Sequence, residues 1–193
     1  MSYVDHIARL RITLNDTKPP IWRIVEVPLT SSLKGLHEVI QAAMPFENYH
    51  LFDFRVGEQR YAIPVPEFDG PETRHAKLTK LGALIEKGFS EFVYTYDFGD
   101  DWRHHLTGEL TDGPLPGQLY PRLVEAEGRC PPEDVGGPPG YEHFLEAIAD
   151  PGHPDHDELT EWHDEPFDPS VPDTDTHQLE VLKLAKRWQP RKK

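Results

Sequence analysis

Chemistry-bearing side chains crowd two stretches of this 193-residue chain. The first runs Tyr94-Thr95-Tyr96-Asp97-Phe98-Gly99-Asp100-Asp101-Trp102-Arg103-His104-His105. It sets carboxylates beside imidazoles, a mixture that holds a hard or borderline divalent cation or exchanges protons. The second runs Cys130-Pro131-Pro132-Glu133-Asp134-Val135-Gly136-Gly137-Pro138-Pro139-Gly140-Tyr141. Its prolines fix the backbone, its glycines permit close approach, and two adjacent carboxylates are presented between them. A phosphate cradle is not expected here, because prolines remove amide donors and Glu133 and Asp134 repel anions. Cys130 has no local cationic partner and is not expected to be a nucleophile. His153-Pro154-Asp155-His156-Asp157-Glu158 matches no zinc or calcium spacing and reads as an acidic helix start.

The elements that position these groups follow from periodicity. Leu10, Ile12 and Leu14 alternate with Arg9, Arg11 and Thr13, which predicts a half-buried strand. Trp22–Val27 predicts a hairpin partner through the loop 15–20. Ser32 can cap a helix over 33–44, whose apolar side is Leu33, Leu36, Val39, Ile40 and Ala43. Strands are predicted at 50–56 and 60–63, a Pro-rich loop at 64–75 and a short helix at 77–85. A strand at 122–128 and helices over 141–148, 154–162 and 179–188 complete the chain. Asp175 and Gln178 have capping-box spacing before the last helix. The irregular order of strands and helices predicts an α+β fold, a mostly antiparallel sheet with helices packed on one face.

The hairpin 90–110 sorts the chemistry. A three-residue turn at 99–101 would pair Phe98 with Trp102, Asp97 with Arg103 and Tyr96 with His104. Phe92, Tyr94, Tyr96, Phe98, Trp102, His104 and Leu106 then share a face on which His104 is the lone ionisable group. His104 there is either a neutral, hydrogen-bonded structural residue or a pocket-lining base or ligand. Asp97 and Arg103 would form a cross-strand ion pair.

Charge limits the partners. The net charge is −14, and residues 131–175 hold 14 Asp and Glu with no Lys or Arg. Such a block disfavours extended binding along a nucleic-acid backbone. The segment 176–193 is basic, and its tail Arg191, Lys192, Lys193 reads as a solvated terminus. No run approaches the roughly 20 apolar residues needed to span a bilayer. The first residues carry no basic start or apolar stretch, so a secretory signal is not expected. One cysteine excludes an intrachain disulfide, and these features together point to a reducing cytoplasm. The length suits a single domain over 1–193.

Several motifs together resemble the plasmid pRiA4b ORF-3-like proteins, a group that includes an insertion-element passenger labelled TnpR. They are Pro19-Pro20-Ile21-Trp22-Arg23, Leu36-His37-Glu38-Val39-Ile40-Gln41, His50-Leu51-Phe52-Asp53-Phe54, the Tyr94–His104 run, Pro132–Tyr141, His153-Pro154 and Trp162. Pro45-Phe46 departs from the Gly-Trp expected there. The resemblance implies a compact α+β domain and supplies no reaction. A serine resolvase is not expected: Ser2 is the only serine before residue 31, and no basic helix-turn-helix is apparent. Mobile elements therefore enter as a genomic association.

Three functional readings remain. The first is a module binding a small molecule, peptide or protein, with His50, Tyr96, Asp97, Asp100, Trp102, His104, Glu133, Asp134 and Tyr141 as candidate contacts. The second is a metal-assisted hydrolase, with His104, Asp100, Glu133 and Asp134 as candidate ligands of a divalent metal and His50 and Asp97 beside them. The third is a structural or interaction protein. All but the last need the 133–134 segment to fold against the hairpin, with His104 facing its carboxylates.

Overall fold

The computed structural model describes residues 6–66, 69–111 and 113–189. The basic tail 191–193 lies outside them. Eight strands form one sheet: β1 (Ile7–Leu14), β2 (Ile21–Pro28), β3 (Phe52–Val56), β4 (Gln59–Ala62), β5 (Arg74–His75), β6 (Glu91–Tyr96), β7 (Trp102–Leu110) and β8 (Arg122–Glu127). Their order is β5-β4-β3-β6-β7-β1-β2-β8, and only β4–β5 is parallel. Five helices accompany them: α1 (Leu33–Ala43), α2 (Leu81–Ile85), α3 (Gly137–Ala149), α4 (His156–His163) and α5 (Thr174–Trp188). The fold is α+β, as expected.

Alternation decides which face is covered. Leu10, Ile12, Tyr94, Trp102, His104 and Leu106 are buried, while their neighbours Arg9, Arg11 and Arg103 are exposed. The open face is laced by charge: Glu26 accepts from Arg9 and Arg122, and Arg11 lies over the Trp22 ring. Burial pulls the Glu26 carboxyl upward, but the two guanidiniums outweigh it and hold it below its ordinary value. On the covered face α1 packs against β2 and α5, and α5 reaches β8. Ser32 caps α1 by accepting from the Gly35 amide. Gly35 is close-packed because the Trp188 ring of α5 lies over it.

Arg23 ties three elements together. It is fully buried without a carboxylate partner among the described residues. Its guanidinium donates instead to the carbonyls of Ala43, Trp22, Glu127 and Gly128 and to Cys130 Sγ. The planar fork thus satisfies the end of α1 and the exit of β8 at once.

Several expectations need correction. The hairpin register is offset by two: Tyr96 pairs with Trp102, Thr95 with Arg103 and Tyr94 with His104. The loop therefore has five residues, 97–101. Asp97 and Asp101 both take positive φ, and the Asp101 amide donates to the Asp97 carbonyl at 2.7 Å. An even offset keeps the two faces intact. Phe98 leaves the aromatic face and is exposed. Arg103 pairs with Asp101 at 2.7 Å, not with Asp97. β3 begins at Phe52, leaving His50 in a loop. α2 begins only at Leu81, after Ser32 and Lys80 form an isolated bridge. α3 begins at Gly137, with Pro138 and Pro139 in its first turn, where missing amides cost nothing. α5 begins at Thr174, so the Asp175–Gln178 box is not formed; Asp173 Oδ1 accepts from Thr176 Oγ1 at 3.0 Å.

Candidate functional site

The loop 45–51 joins α1 to β3 and passes over the end of the hairpin. Its anchor is the Tyr96 hydroxyl. That oxygen accepts from the amides of Tyr49 and His50, at 3.3 and 3.5 Å, and donates to Glu133 Oε1 at 3.0 Å. Glu133 Oε1 also accepts from the Glu47 amide at 2.5 Å. One phenol thus links the loop, the hairpin and the Pro/Gly segment. Burial, followed by the nearby Glu133 charge, pushes the Tyr96 pKa up to about 12, so the hydroxyl keeps its proton.

The same loop swings His50 between two aspartates. His50 Nε2 lies 3.4 Å from Asp97 Oδ2 and 3.2 Å from Asp134 Oδ1. One ligand atom from each of the three residues falls within 4.8 Å of the others. Each carboxylate is oriented through its second oxygen: Asp97 Oδ1 accepts from the Gly99 amide at 2.8 Å, and Asp134 Oδ2 from the Tyr49 hydroxyl at 2.7 Å. Asp97 and Asp134 both have positive φ, at 54° and 57°. Asp tolerates that backbone better than most residues, and it turns both carboxylates toward His50. Asp97 is nearly buried while Asp134 is 63% exposed, so the cluster opens to solvent on one side.

Glu133 stands beside this cluster. Its Oε2 is buried and has no partner among the described residues. Burial raises its pKa; the Glu47 amide and the Tyr96 hydroxyl work against the rise. Asp100 Oδ2 accepts from the Gly136 amide at 3.1 Å, which fixes the hairpin loop to the Pro/Gly segment.

The two stretches singled out in the sequence therefore meet, but His104 is not the imidazole at their junction. It is wholly buried, its Nδ1 bonds the Trp102 carbonyl at 3.1 Å, and Phe46 and Tyr94 pack against its ring. Neither Glu133 nor Asp134 bonds to it. Desolvation pulls its pKa down to about 4, so it is neutral. Trp102 is equally buried. Tyr141 lies within the core and donates to the Arg129 carbonyl at 3.1 Å, apart from the cluster. Cys130 is buried against Arg23 and Met44, and burial raises its pKa. Sequence reasoning missed Tyr49, whose only signal was adjacency to His50.

A second cluster, His143, His153 and Asp155, lies near the start of α4. One ring nitrogen of each histidine is engaged with Asp155: His153 Nδ1 accepts from its amide at 3.1 Å, and His143 Nε2 pairs with its carboxylate at 3.0 Å.

The fold recurs in a known structure. This chain belongs to the family of plasmid pRiA4b ORF-3-like proteins, whose model matches residues 6–176. It is similar to the uncharacterized protein y4hQ of Sinorhizobium fredii strain NGR234, with 47% identity over 161 residues, 82% of this chain and 81% of the relative. It is also similar to the crystal structure of MM3350, a protein of unknown function from Methanosarcina mazei Go1. That likeness has a TM-score of 0.80 at 29% identity and covers 89% of this chain and 97% of the other. Among the described residues no helix is long and apolar enough to cross a membrane.

Proposed function

We propose that the chain is a ligand-binding module centred on a divalent cation held by His50, Asp97 and Asp134. The observation that carries this reading is the spacing of the donors. A first-row divalent ion binds imidazole and carboxylate at roughly 2.0–2.2 Å, which sets neighbouring donors about 3.0–3.5 Å apart. The two separations from His50 Nε2, 3.4 and 3.2 Å, fall in that range. One nitrogen and two oxygens suit manganese, iron or zinc better than calcium. Three protein ligands leave coordination positions free on the exposed Asp134 side, where a carboxylate, phosphate or carbonyl of a small molecule or peptide completes the shell. The buried thiol of Cys130 agrees with a reducing compartment such as the cytoplasm, and the family name with carriage on plasmids.

The test is equilibrium dialysis of chelator-stripped protein against manganese or zinc, followed by elemental analysis. The expected uptake is about one equivalent lost in both His50→Ala and Asp134→Asn. No uptake by the native chain, or uptake that both variants retain, overturns the reading.

A further inference from the structure

An open groove with a volume of about 950 Å³ lies where the segment 75–80 runs beside the start of α1. That is within the roughly 300–1,000 Å³ of small-molecule sites. No residue of the His50 cluster or of the loop 45–51 lines it. Its charge runs against the composition of the chain. Asp and Glu outnumber Lys and Arg by 34 to 20 overall, yet this wall carries Lys34, Lys77 and Lys80 against the single carboxylate of Glu38.

Backbone hydrogen bonds gather the three lysines. The Leu33 amide donates to the Thr79 carbonyl at 2.9 Å, the Lys34 amide to the Ala76 carbonyl at 3.2 Å, and the Leu81 amide to the Ser31 carbonyl at 2.9 Å. Lys80 thus pairs with Ser32, and Lys77 comes beside Lys34. Similar contacts set two apolar neighbours on the same wall. The Ala76 amide donates to the Ala62 carbonyl at 2.8 Å, which brings Ile63 beside the lysine segment. The half-buried Trp188 ring lies over Gly35, next to Lys34.

Lys34 is paired with Glu38, whereas Lys77 and Lys80 are exposed and have no carboxylate partner among the described residues. His75 Nδ1 accepts from the Lys77 amide at 3.2 Å, so its Nε2 carries the proton and adds a donor to the wall. Ammonium groups serve phosphate as point charges. Their surplus of two over Glu38 matches a phosphate monoester, which carries about −1.5 to −2 near pH 7, better than it matches a single carboxylate. A cleft lined by one sign of charge also concentrates its field on such an ion.

We propose that this groove binds a small phosphate monoester that carries a ring. The phosphate sits among Lys34, Lys77 and Lys80, and the ring lies against Trp188, where aromatic stacking holds it. This site does not depend on the cation.

The probes are adenosine 5′-monophosphate, adenosine and inorganic phosphate, titrated with chelator present and followed by amide chemical shifts. Saturable binding of the monophosphate is expected, with shifts at Ser32, Lys34 and Gly35. Adenosine and inorganic phosphate should each bind about tenfold more weakly or worse, since each lacks one of the two contacts. The double variant Lys77→Gln Lys80→Gln, at exposed positions outside the core, should weaken the monophosphate by about tenfold or more. Absence of saturable binding, adenosine or inorganic phosphate binding as tightly as the monophosphate, or native affinity in the double variant overturns the proposal.

Discussion

The backbone of Gly137 presses on the carbonyl of Asp100, so closely that a Cβ at 137 would overlap that oxygen. Gly137 also has φ of 69°, a conformation that side chains disfavour. This contact, together with the Gly136–Asp100 hydrogen bond, holds the hairpin loop against the Pro/Gly segment. It is why Asp97 and Asp134, 37 positions apart, reach the same histidine.

Gly137→Ala should therefore loosen the cation site without removing a donor. Calorimetric titration is expected to show affinity down by about tenfold or more, with stability falling by about 1–3 kcal/mol. Native affinity in this variant would mean that the contact does not position the cluster.

Arg23→Ala strips the partners from four backbone carbonyls and leaves a hole beneath α1. Urea denaturation should report a loss of about 3–5 kcal/mol, the range for disrupting a buried charged network. Arg23→Lys is expected to rescue only part of this, since an ammonium cannot span Ala43 and Gly128 as a planar fork does. Full rescue by lysine would show that charge alone matters.

Acid should weaken the fold in a defined window. Desolvation, the largest cause in each case, pulls His37, His104 and His177 from 6.5 to about 4. Between those values the unfolded chain binds protons that the folded chain does not. The stabilisation is thus complete above pH 6.5 and is lost as pH falls toward 4, by about 1.4 kcal/mol per unit for each wholly buried histidine. Glu133, with a raised pKa, opposes the trend. Denaturation midpoints across this range should decline steadily for the native chain and less steeply for His177→Gln; parallel slopes would rule out a titrating His177.

The hairpin register separates two adjacent-looking aromatics. Trp102 is completely buried, whereas Phe98 is 46% exposed at the loop. Trp102→Ala should cost about 3–5 kcal/mol and Phe98→Ala about 1 kcal/mol or less. Similar costs for both would favour the register that pairs them.

Much of this architecture was legible in the chain because it rests on local alternation. Leu10, Ile12 and Leu14 against Arg9, Arg11 and Thr13 marked β1 and its covered face. The aromatic side of β6–β7 survived a register error because the offset was even. The meeting of 133–134 with the hairpin was a condition of the binding and hydrolase readings that no local pattern required; the Tyr96–Glu133 hydrogen bond makes it. The identity of the imidazole was not legible either. His104 lies in a strand, where period two pointed it at the helices and hence into the dry core. His50 lies in a loop, where no period operates, and its direction comes from the Tyr96 hydroxyl catching two loop amides. The start of α3 was hidden for a similar reason: Pro138 and Pro139 read as loop, although a first helical turn accepts them.

Anomalous diffraction from crystals soaked in manganese or zinc would address the cation directly. The expected result is a peak about 2.1 Å from His50 Nε2, bounded by one oxygen each of Asp97 and Asp134. A map with no peak there, or with density only at His143 and His153, would contradict it.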